Sequence, residues 1–236
     1  MFPAFSRGVT KSGFVLILKG AGAEETRIDP KYWIFSPTEH GKPLTDVALC
    51  PLWFSEKEEV IGIGLNDPHS LVATPEIIAQ HHYGIGDEVA ILGLFRSHYG
   101  AERNIPIVRV GNISMMSGEP VKTSYCGYTE AHLIEARSIS GLSGSPVFIS
   151  NPAVKIVDGK TQFSTGQWFY LFGLVHGHFD VENMNEDMVV DDDGESKRGV
   201  NTGIGVVIPA QKIVEVIFQP EYAETRRKAA ESGPGA

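Results

Sequence analysis

The chain has 236 residues, 42% of them hydrophobic, with 26 Gly and 14 Pro, so it is long enough to bury one large core or two small ones. A formal net charge of −9, with no basic stripe interleaved with aromatics, lacks the electrostatic footprint of nucleic-acid binding. The two cysteines are too few for a disulfide framework and are not spaced as zinc ligands.

The apolar runs are short, rich in Val and Ile and separated by turn residues, which predicts an all-β chain. The first apolar run spans only residues 14–18, with no cleavage-site pattern behind it. No signal peptide is therefore expected, a cytoplasmic location is compatible, and no stretch reaches membrane-spanning length. Strands are predicted at 13–20, 31–37, 45–53 and 59–66. Next, "TPEIIAQHHYGIGDE" (74–88) reads as one or two helical turns that end at a Gly-rich stop. Six further strands follow at 88–95, 105–116, 129–137, 145–150, 167–179 and 203–210, enough to close a barrel. Apolar positions 213, 214, 216 and 217 then predict a final helix over 209–219. Eight of the 29 acidic residues fall within 180–195, so the acidity is mostly that of one solvated loop.

The stretch "SISGLSGSPVFIS" (138–150) carries the functional signal. Acyl transfer by a serine needs a hydroxyl on a tight turn, with backbone N–H groups converging on the developing oxyanion. In "GLSGSP" (141–146) Gly141 can turn its N–H inward, Ser143 offers Oγ and a second N–H, and Pro146 fixes the exit into a strand. A lone Gly-x-Ser would more simply be a hairpin turn. The longer pattern, Gly-x-Ser-Gly-Ser-Pro running into a Val/Phe strand, resembles the nucleophile motif of trypsin-like (chymotrypsin-fold) serine peptidases, in particular bacterial and glutamyl-endopeptidase-like members. "DEVAILGLF", "IVRVGNIS", "FGLVHGHF" and "NTGIGVVIPAQKI" follow in the order of that family's second barrel.

The resemblance covers roughly residues 30–218 and implies two six-stranded-type β-barrels with a C-terminal helix. Residues 1–80 would be an N-terminal barrel incomplete at its start, 81–219 the C-terminal barrel with its closing helix, and 220–236 a flexible tail. It implies Ser143 as nucleophile, Gly141 and Ser143 as oxyanion donors, and Asp46, in "TDVALCPL", as the triad carboxylate. The substrate class would be polypeptide, with no cofactor and no metal. The family's order of His, Asp, Ser also calls for a histidine well before Asp46. Only His40 precedes it, six residues upstream in a loop. The expectation is thus an endopeptidase domain that lacks its base in this chain and reacts slowly, since loss of the His in an unrelated serine protease costs on the order of 10⁶ in kcat.

Three further residues are candidates for substrate binding. His176 and His178 lie on the strand that would line the pocket, and Arg137 stands where the resemblance puts the floor of the primary specificity pocket. Arg137 there would favour an acidic side chain; an exposed hairpin position accounts for it equally well. His176, His178 and Asp180 alternate with period two, so a regular strand would place them on one face, where they could hold zinc. Two other readings therefore stand beside the peptidase: a non-catalytic module that holds an extended peptide as an added strand, and a metal-binding β protein centred on His176 and His178.

Overall fold

The structure is a computed structural model that describes residues 14–18, 22–26, 33–36, 45–50, 71–94, 105–123, 127–136, 142–152, 154–157, 159–163, 169–181 and 200–220, with 223, 224 and 227. Strands β1 (Phe14–Leu18) and β2 (Gly22–Thr26) form an antiparallel hairpin. β3 (Ile34–Phe35) and β4 (Ala48–Leu49) form a second antiparallel pair. The short helix α1 (Pro75–Gln80) follows the N-cap Thr74, whose hydroxyl accepts from the Ile77 amide, with Pro75 supplying the fixed φ of a first helical turn.

The remaining elements are β5 (Glu88–Leu94), β6 (Pro106–Met115), β7 (Pro120–Thr123), β8 (Gly127–Glu130), β9 (His132–Glu135), β10 (Pro146–Ser150), β11 (Val154–Val157), β12 (Lys160–Phe163), β13 (Phe169–Val181), β14 (Val200–Pro209) and the helix α2 (Ala210–Ile217). Six of these strands close into a barrel in the order β10-β13-β14-β9-β6-β5, with every neighbouring pair antiparallel. The pairs β7–β8 and β11–β12 are hairpins outside it. All six strands expected of the second half contribute to the barrel, and α2 follows β14 as expected.

A second barrel is not present among the described residues, where the chain before residue 71 contributes only the two-stranded pairs β1–β2 and β3–β4. The strand expected at 59–66 lies outside the described residues.

Alternation explains the barrel core. Val89 and Ile91 on β5, Val147 and Ile149 on β10, Ile134 on β9 and Phe172 on β13 all point inward into one apolar cluster. The run "FYLFGLV" is apolar on both faces because the outer face of β13 is covered too. Leu171 and Ile208 join Val47, Val72 and the buried stripe of α2, Ala210, Ile213 and Val216, in a second cluster. Val47 thus anchors the β3–β4 pair to the barrel, while a bond from the Ser36 amide to the Val47 carbonyl at 3.0 Å extends that pair itself. Where β13 and β14 meet, a side chain on Gly173 would put its Cβ 2.2 Å from the Ile208 carbonyl oxygen, so the closest approach of the two backbones requires glycine.

Candidate functional site

The turn at the head of β10 is built by its own backbone. The Ser145 amide bonds the Leu142 carbonyl at 2.9 Å, closing a turn around Ser143 and Gly144. Gly144 has φ +83°, a conformation that an L side chain would strain. Two further bonds tie the turn to the neighbouring strand: Gly144 N–H to the Val175 carbonyl at 2.7 Å, and Val175 N–H to the Ser145 carbonyl at 2.9 Å. Ser143 is left exposed at the apex, with its hydroxyl donating to the main-chain oxygen of His176 at 3.2 Å.

His176 owes its orientation to a bulge. Val175 pairs with Val207 and Gly177 with Val206, so His176 is an extra residue without a counterpart on β14. A second irregularity falls between His178 and Asp180. The two-residue alternation that would align His176, His178 and Asp180 is therefore interrupted twice. Among the described residues no group of three or more His, Cys, Asp or Glu side chains is placed to hold a metal ion.

The His176 ring turns instead towards the N-terminal segment. Its side chain is 3% exposed, and its Nδ1 lies 2.9 Å from Oδ2 of Asp46, which is 42% exposed. At that distance a carboxylate accepts from Nδ1–H. Asp46 is presented to β13 because the next residue, Val47, is buried in the cluster beneath α2.

The structure therefore brings Ser143, His176 and Asp46 into one contiguous site. A serine on the barrel and a carboxylate on the N-terminal segment meet at the same bulged residue, one through its main chain and the other through its ring. His178 is half-buried on β13, opposite Gly205. Arg137 and Gly141 lie outside the described residues, as does His40. The direct pairing of His176 with Asp46 was missed from the sequence, which assigned His176 to substrate binding. The bulge is set by pairing with β14 and leaves no composition signal.

Barrel and site together define a β-barrel protein with an exposed serine on a glycine turn, adjacent to a histidine–carboxylate pair. Compared with protein-family models, with characterised proteins and with solved structures, the chain matches none of them. Among the described residues no helix is long and apolar enough to cross a membrane.

Proposed function

We propose that the chain is a trypsin-like serine endopeptidase domain that acts on peptide bonds through Ser143. In this reading Ser143 Oγ attacks the scissile carbonyl, the Ser143 amide and that of Gly141 receive the oxyanion, and Asp46 is the carboxylate that orients and stabilises the imidazole partner. The observation that carries it is the convergence of Ser143 and Asp46 on His176, with bonds of 3.2 and 2.9 Å. The two residues are 97 positions apart in sequence and arrive from separate elements, Ser143 through the bonds of its turn to Val175 and Asp46 through the burial of Val47.

The same geometry makes the chemistry slow. The Ser143 hydroxyl donates to a carbonyl oxygen, which cannot take up its proton, rather than to an imidazole nitrogen. A fluorophosphonate should therefore label Ser143 slowly, and Ser143→Ala should abolish labelling. Millimolar imidazole, supplying the base in solution, should accelerate labelling by at least about tenfold. If Ser143 stays unlabelled with and without imidazole, the peptidase reading fails. The parked hydroxyl also supports a second reading, a peptide-binding module without catalysis. Saturable binding of an extended peptide by a chain that resists the probe would select it.

A further inference from the structure

A few residues beyond His176 the register of β13 and β14 slips. Gly177 pairs with Val206 and His178 with Gly205, but the next pairs are Asp180 with Asn201 and Val181 with Val200. Three residues of β14, Thr202, Gly203 and Ile204, therefore face the single Phe179 of β13. A mismatch of this kind takes main-chain donors and acceptors away from their ladder partners.

Thr202 closes the gap with its side chain. Its hydroxyl donates to the Phe179 carbonyl at 2.8 Å and accepts from the Ile204 amide at 3.2 Å. One oxygen thus replaces a ladder donor for one strand and a ladder acceptor for the other. Valine matches the shape of threonine but can make neither bond, whereas serine can make both. Thr202 is exposed, so core packing does not select it.

The same bulge reaches the serine turn. The carbonyl of the next residue, Gly203, accepts from the Ala136 amide at 2.9 Å, which carries the β9–β14 pairing one residue past Glu135. Ala136 is buried and stands six residues before Leu142. Leu142 accepts from the Ser145 amide and lies against Gly93 of β5, where an added Cβ would come 2.5 Å from the leucine Cδ2. The connection that leads to Ser143 is thus held at both ends, on β5 at the far end and on the residue after Thr202 at the near end.

We propose that Thr202 is a positioning residue for Ser143. Its hydroxyl locks the β13–β14 bulge, so that the Gly203 carbonyl holds Ala136 and, through it, the approach to the Ser143 turn. This role rests on the reading of Ser143 as nucleophile, while its structural half, the hold on the turn, is measurable without catalysis.

Two readouts separate the two. With millimolar imidazole present, Thr202→Val should lower the rate of fluorophosphonate labelling of Ser143 by at least about fivefold, and Thr202→Ser should restore it to within about twofold of the unsubstituted chain. In native-state hydrogen exchange, Thr202→Val should speed the Ala136 amide and the Gly144 amide, which is bonded to the Val175 carbonyl, by at least about fivefold, with the β5–β6 amides unchanged. Labelling of Thr202→Val at the parental rate overturns the proposal and leaves the peptidase reading standing. Labelling of Thr202→Ser as slow as that of Thr202→Val overturns it too, because serine keeps both bonds. A chain that is not labelled at all defeats the nucleophile reading. Exchange then decides the hold on the turn, faster Ala136 and Gly144 amides in Thr202→Val upholding it and unchanged ones overturning it.

Discussion

His132 shows how one buried side chain sets a pH window. Burial pushes its pKa down to about 4 from an ordinary 6.5, because an imidazolium between Phe172 and the barrel would lose its water and forfeit the Ser117 bond. The folded state therefore binds fewer protons than the unfolded state between those two values. The neutral ring's contribution is full above about pH 6.5 and is lost as pH falls towards 4. A shift of this size corresponds to about 3 kcal/mol. Urea denaturation at pH 7 and pH 5 should show that loss in progress, and His132→Gln should flatten this part of the profile. An unchanged slope in the variant would assign the acid sensitivity to other groups.

At the scale of the element, β13 does most to make the site. Its first half, Phe169–Val175, packs Tyr170 and Phe172 into the barrel and Leu171 beneath α2. The bulge then frees His176 from the ladder, with its ring on Asp46 and its carbonyl on Ser143. Gly173→Ala tests this dependence. Its Cβ would collide with the Ile208 carbonyl, forcing β13 and β14 apart at a cost of about 1–3 kcal/mol. Because Val175 holds the Ser143 turn through two bonds, the variant should lower both the melting temperature and the rate of Ser143 labelling. Lower stability with an unchanged labelling rate would show that the turn stands without β13.

The strands of the barrel were legible because each is a short apolar run bounded by turn residues, and α2 because its buried residues recur at helical spacing. The hairpin β11–β12 was not, because it packs little. Every described side chain of β12 is exposed, and β11 alternates between exposed and half-buried, so no apolar face announces them.

Across the whole molecule, the N-terminal segment and the barrel are joined by the apolar cluster under α2, which contains Val47 from one and Leu171 and Ile208 from the other. The Asp46–His176 bond crosses the same junction. Val47→Ala should cost about 1–2 kcal/mol. In hydrogen exchange it should release the Ser36 amide, bonded to the Val47 carbonyl, while the β5–β6 amides stay protected. Equal loss of protection in both regions would make the segment and the barrel a single cooperative unit.

By itself the sequence determined the β character, the six strands that close the barrel, the terminal helix, and the serine turn before β10. All of these follow from local periodicity and turn chemistry. Only the tertiary structure decided that Asp46 and Ser143 meet at His176, and that His132 is buried against Phe172 with its Nδ1 on the Ser117 amide. Both depend on a bulge and on strand pairings between residues distant in the chain, where position is set by how two elements pack rather than by what either one contains.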